Sequence, residues 1–324
     1  MKNKQVYLFR IIWAFIFFVL IIPDRSISYS QALKVAILLP GPVDDEGWSQ
    51  AGYEGLLLIQ KELGAEIAYV ESVKESEIEK HFRNFAKAGF DFIIGHGGEY
   101  IPGAEVVAKD FPRIKFAVIG GYAGNNSNLG ALSFRDGELG YLTGAIAGIK
   151  TKTNKVAFIG GVDYVHMKEV AALFIRGAKA VNPSVKVSIE WVNSWIDVEK
   201  AKSIARRLIQ AKFDVLLAYA DVPGSEVLKV AERAGIYSIG WALDQHHMAP
   251  KSVLSSGVQH IPLLLLEGAI LVQKGRWEGM QYKFGLQEKA QKLAPFYGLL
   301  NSKEQKMIED IQKDIVSGNI DVTF

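Results

Sequence analysis

The stretch KVAILLPGPVDDEGWSQAGYEGLLLIQKELGAEIAYV, residues 34–70, decides the fold class. Residues 34–39 form a short aliphatic run of the kind found in strands. Residues 50–63 carry apolar side chains at helical spacing, and residues 66–70 return to a strand-like pattern. Strand, helix and strand in so short a span form the unit of a parallel sheet.

The same alternation runs outward along most of the chain. Strands are predicted at 92–94, 115–119 and 130–134, with helices at 75–88 and 102–110. The pattern then restarts with a helix at 137–150 and strands at 155–159, 186–191, 214–218 and 237–239. Helices at 164–181, 197–211 and 224–234 lie between them. Two successive doubly wound α/β units are the simplest reading, and the length suits two domains better than one core. An apolar helical pattern at 261–275 has nowhere to pack in its own unit, so it is expected to return to the first. The expected first lobe is therefore 31–134 plus 258–280, and the second 135–257 plus 281–324. Several chain crossings between lobes make a hinge, and the cleft beside it is where such proteins hold small ligands.

Residues 1–30 are expected to be a cleavable signal peptide. Lys2, Lys4 and Arg10 precede 12 unbroken apolar residues from Ile11 to Ile22, and Ser28-Tyr29-Ser30 supplies small residues before Gln31. Twelve is short of the ~20 residues a spanning helix needs. That segment carries four bases and one acid, so the 37 Lys+Arg and 35 Asp+Glu of the whole chain become 33 and 34 beyond it. A near-neutral chain with no basic block offers no footprint for nucleic acid. Cysteine is absent, which excludes disulfides, thiolate metal sites, a cysteine nucleophile and a lipid-acceptor thiol. GxSxG, HExxH, P-loop and GxGxxG signatures are also absent, so neither an enzyme nor a cofactor-binding protein is expected.

Two tryptophans sit in polar, turn-prone settings just after predicted strands, at the mouths of predicted helices. Trp48 lies in Asp45-Glu46-Gly47-Trp48-Ser49, and Trp195 in Trp191-Val192-Asn193-Ser194-Trp195-Ile196-Asp197. One flat aromatic face from each unit would suit the clamping of a planar heterocycle; each could instead pack on its own lobe or staple the following helix. Asp221 and Asp244 stand beyond the predicted strands 214–218 and 237–239, where they could meet a ligand or serve as cap and turn acids. Gly98 and Gly121, in the pairs Gly97-Gly98 and Gly120-Gly121, would let backbone amides approach a flat ligand or simply make tight turns. The adjacent His246-His247 would point apart, which speaks against a metal pair.

Several segments together resemble the basic-membrane-protein family of solute-binding proteins, in particular its purine-binding branch. They are Gly41-Pro42-Val43-Asp44-Asp45-Glu46-Gly47-Trp48, Tyr69-Val70-Glu71-Ser72-Val73, Gly137-Glu138-Leu139-Gly140-Tyr141-Leu142-Thr143-Gly144, Trp191-Val192-Asn193-Ser194-Trp195 and Leu293-Ala294-Pro295-Phe296. The resemblance implies a type I periplasmic-binding-protein fold whose two lobes close on a purine base or nucleoside. It implies that Trp48 and Trp195 stack on opposite faces of the base, that Asp244 binds its edge, and that Asp45 lies near the stack. Nucleoside receptors of the family usually carry an acid where Gly120 stands, and its purine-base members an aromatic loop where Gly97-Gly98-Glu99 stands. The implied setting is a periplasmic monomer that delivers its cargo to an ABC permease in the inner membrane. A sensory subunit with the same fold and a nucleoside-processing enzyme are the alternatives.

Overall fold

The computed structural model describes residues 32–44 and 47–323. The expected signal segment and Asp45 lie outside the described residues. The first half runs β1 (Lys34–Leu38), α1 (Trp48–Leu63), β2 (Glu66–Val70), α2 (Ile78–Lys87), β3 (Phe92–Gly95), α3 (Ile101–Asp110), β4 (Lys115–Ile119) and β5 (Leu129–Phe134). It continues with α4 (Asp136–Lys150), β6 (Lys155–Gly160), α5 (Val165–Val181), β7 (Lys186–Trp191), α6 (Val198–Gln210), β8 (Val215–Tyr219), α7 (Asp221–Arg233) and β9 (Tyr237–Ala242). The chain ends with β10 (Val253–Gln259), α8 (Ile261–Gln273), β11 (Gln281–Phe284), β12 (Gln291–Leu293) and α9 (Ser302–Val316).

These elements build two six-stranded sheets. The first has the order β11-β5-β4-β3-β1-β2 and the second β12-β10-β9-β8-β6-β7. Every pairing is parallel except that of β12 with β10. Central strands are buried on both faces, as Val35, Ala36, Ile37 and Leu38 of β1 show. Helices flank them by their apolar stripes: Ile78, Phe82 and Ala86 on α2, and Ala201, Ile204, Ala205 and Leu208 on α6. In both sheets the strand order reverses direction once, between β1 and β3 and between β6 and β8. The chain thus adopts the type I periplasmic-binding-protein architecture of two doubly wound units.

α8 lies in the first core, where Leu264, Leu265 and Ala269 pack with Leu56 and Ile59 of α1. The chain passes between sheets at 134–136, 259–261 and 284–291. Each passage leaves from the carboxyl end of a parallel strand, so the carboxyl ends of both sheets border one hinge. The sequence had placed the return to the second lobe at Gln281. Instead β11 pairs with β5, and the return follows Phe284. The cause is tertiary packing. Phe284 is buried in the first core with Tyr282 against it, and Tyr282 stacks on Trp277 at 4.7 Å. α7 also begins earlier than expected, at Asp221, because Pro223 is tolerated in a first helical turn.

Candidate functional site

Trp48 opens α1, the helix that follows β1, and His96 follows β3, so the two meet at the reversal point of the first sheet. The imidazole of His96 is fully buried and lies nearly parallel to the Trp48 indole, 4.3 Å between centroids and 20° between planes. Trp48 Nε1 donates to the His96 carbonyl at 2.9 Å, and His96 Nε2 lies 2.7 Å from the Trp48 carbonyl. The reciprocal pair fixes the indole by one face and one edge while 43% of the residue remains exposed. Ser49 Oγ accepts from the Gly41 amide at 2.9 Å, tying the loop after β1 to the same helix start. Gly98, in the 3-10 turn after β3, and Gly121, after β4, face open space on the side where a Cβ would stand. Tyr100 beside them is buried, and burial raises its hydroxyl well above the usual range.

The second sheet presents its own group at its strand ends. Trp195 follows β7 in a loop where Asn193 takes a left-handed φ of 55°. Ser194 Oγ accepts from the amides of Ile196 and Asp197 at 3.1 and 3.0 Å, and Asp197 caps α6 through Lys200 N. The Trp195 ring lies against the backbone after β6, where a Cβ on Gly161 would stand 2.4 Å from Trp195 Cζ3. Trp195 is 37% exposed, and Ile196, Tyr164, Val165, Val222 and Leu243 are exposed at the ends of the same sheet.

Asp221, the first residue of α7, has a φ of 47°, and Ala242 at the end of β9 has 69°. Left-handed backbone at non-glycine residues costs about 1–3 kcal/mol and gathers at functional sites. The Asp221 side chain reaches the surface, yet desolvation raises its carboxyl above the ordinary value. Asp244 is half-buried beyond β9. Its Oδ1 accepts from the His246 amide at 3.2 Å, an internal bond of the turn; its Oδ2 accepts from the Tyr297 hydroxyl. Tyr297 in turn stacks on His246, 3.7 Å between centroids and 12° between planes.

The structure thus gathers Trp48, Gly98 and Gly121 at the strand ends of the first sheet, and Trp195, Asp221 and Asp244 at those of the second. His96 and Tyr297 adjoin these groups and were not expected from the sequence. A histidine before paired glycines at a strand end was the one local sign of the first; nothing local signals the second, which lies 53 residues from the carboxylate it binds.

Among the described residues no helix is long and apolar enough to cross a membrane. The Bacillus subtilis (strain 168) transcriptional activator protein med is 29% identical over 281 residues, 86% of this chain and 87% of that protein. A purine-binding protein of Brucella abortus (strain 2308) is also 29% identical, over 90% of this chain and 83% of its own. Among solved structures, a transcriptional activator of the comK gene from Bacillus halodurans superposes with a TM-score of 0.79 at 24% identity, over 89% of this chain and 99% of that one. An ABC transporter solute-binding protein from Aeropyrum pernix K1 superposes with a TM-score of 0.71 at 19% identity, over 89% and 92%. These two likenesses establish the shared fold. A family sequence profile, described as ABC transporter substrate-binding protein PnrA-like, matches residues 32–323, and the chain belongs to that family of solute-binding proteins.

Proposed function

We propose that this solute-binding protein takes a purine base or nucleoside, adenine-like in shape, between its two lobes. The observation that carries the reading is the pair of half-exposed indoles, one at the strand ends of each sheet, with Trp48 backed on one face by His96. A ring stacked on one aromatic gains roughly 1–3 kcal/mol, and micromolar binding needs about 8. Two stacks fall short, so edge contacts must supply the rest. Asp244 and Asp221 are the acceptors for ligand N–H groups, the charge-assisted kind of bond when ionised. Gly98 and Gly121 offer backbone at the other lobe, and Asp45 is a further ligand residue that the family resemblance implies. The relative named as purine-binding supports the same cargo.

The ligand enters an open cleft and stacks on Trp48; contacts from Trp195 and the aspartates form on closure. Their differential free energy shifts the population toward the closed form. That form docks on an ABC permease in the inner membrane, the protein itself being an exported periplasmic monomer without catalytic activity. Native mass spectrometry of the purified protein should reveal a co-purifying purine, and calorimetry should return micromolar or tighter affinity for it. A non-planar ligand, or release of free base from a bound nucleoside, would overturn the reading. A sensory role with the same closure is the second reading, favoured by the relatives named as transcriptional activators. Loss of purine uptake on deletion of the gene separates transport from sensing.

A further inference from the structure

Tyr297 is a poor candidate for a packing residue. It is 46% exposed, its backbone takes a φ of 50°, and Gly298 after it takes 78°. A side chain in that position recovers little from burial, so the strained turn is sustained by the two contacts it makes. One is the hydroxyl donating to Asp244 Oδ2, and the other is the stack on His246. His246 is itself anchored, with Nδ1 3.2 Å from the Val253 carbonyl of β10, and its amide donates to Asp244 Oδ1. Both carboxylate oxygens are therefore gripped, one by a side chain from the far end of the chain and one by the local turn.

We infer that Tyr297 is a positioning residue for ligand discrimination: it holds the Asp244 carboxylate in one orientation as a pure hydrogen-bond acceptor. An ionised carboxylate has about four acceptor sites. Two are used here, and the other two keep fixed directions because rotation about the Cβ–Cγ bond would break both internal bonds. The phenol keeps its proton in this role, since the hydrogen bond to Asp244 raises its pKa above the usual value. A site with a fixed acceptor that closure desolvates rejects ligands lacking the matching donor far better than an adaptable one. The residue sits directly past β12, the strand that follows the third passage between the sheets, so the grip is carried by a segment continuous with the hinge.

This inference rests on Asp244 receiving a ligand N–H, and the test separates the two claims. The probes are adenine, which carries both donors, N6,N6-dimethyladenine, which lacks the N6 donors, and 9-methyladenine, which lacks the N9 donor, each titrated calorimetrically into the protein. Asp244→Asn identifies which affinity ratio the carboxylate sets. Tyr297→Phe is expected to lower that same ratio about three- to tenfold, the size of one hydrogen bond, while the protein stays folded at the temperature of the titration. The double variant should lose little beyond Asp244→Asn alone. Equal weakening of all three probes by Tyr297→Phe, or additive losses in the double variant, overturns the role of Tyr297 and leaves Asp244 in the site. Ratios untouched by Asp244→Asn overturn both claims.

Discussion

At the scale of single residues, the candidate site depends on rings held flat by neighbours that leave room for them. Gly52 in α1 is the clearest case: a Cβ there would stand 2.8 Å from both Cδ2 and Nε2 of His96 and 2.9 Å from Leu39. Gly52→Ala must displace the imidazole and with it the Trp48 indole. Overpacking of this kind costs about 1–3 kcal/mol; thermal unfolding should show the loss, and ligand affinity should fall with it. Trp195→Ala tests the opposite lobe. Its ring rests on an exposed rim, so stability should hardly change, while affinity for the cargo should drop by about 1–3 kcal/mol. Unchanged calorimetric affinity would remove Trp195 from the site.

At the scale of elements, the glycine-rich run from Gly137 to Gly144 proves to be a packing surface. α4 is buried from Gly137 to Gly148, with α5 crossing it at backbone contact. A Cβ on Gly144 would lie 2.1 Å from the Phe174 carbonyl, and one on Gly177 would lie 1.9 Å from that of Tyr141. The obstacle in both cases is backbone, which cannot rotate aside as a side chain can. Gly144→Ala should therefore cost about 1–3 kcal/mol or more, read as a lowered denaturation midpoint, with ligand affinity of the folded fraction retained. Glu138 on the same helix is tolerated at 7% exposure because it is fully engaged. Arg135 Nε donates to its Oε1 at 2.9 Å and the Leu286 amide to its Oε2 at 2.7 Å.

At the scale of the whole molecule, the three passages between sheets are bound to one another. The Arg135 amide donates to the Phe284 carbonyl at 2.8 Å and the His260 amide to the Ala290 carbonyl at 2.7 Å. Asp136 joins all three: its Oδ1 accepts from Gln259 Nε2 and Gln291 Nε2, each at 2.6 Å. Burial pushes the Asp136 carboxyl up to about 6, with Glu169 of α5 adding to the shift, while the two glutamines and Lys283 of β11 oppose it. Tyr219 of β8 faces the same carboxyl and is raised by burial and by Asp136. The unfolded chain ionises this group near 3.8, so between about pH 4 and 6 the folded state retains a proton that the unfolded state has released. The Asp136 contribution therefore grows as pH falls from 7 toward 4, on the order of 1–3 kcal/mol for a shift of this size. Glu288, held below its usual 4.5 by Arg135 against the cost of burial, acts with the opposite sign at lower pH. Asp136→Asn should flatten the slope of melting temperature against pH between 4.5 and 7; an unchanged slope would show that the carboxyl is not the source.

Strand and helix succession as far as β9, the division into two wound units, the place of both tryptophans at helix mouths and the acids beyond β8 and β9 were legible along the chain. Each depends on periodicity or on a strand end, and those are properties of neighbouring residues. β10 escaped notice because its Ser255 and Ser256 break the apolar run. Their hydroxyls are satisfied only by distant groups, the Ala294 carbonyl and the Gln245 amide. The late return of the chain at β11, the backing of Trp48 by His96, the grip of Tyr297 on Asp244 and the junction at Asp136 required the folded molecule. In each of these, groups far apart in the chain meet only after packing has brought them together. No local pattern encodes which face of a ring is covered or which carboxylate loses its water, because burial belongs to the assembled fold.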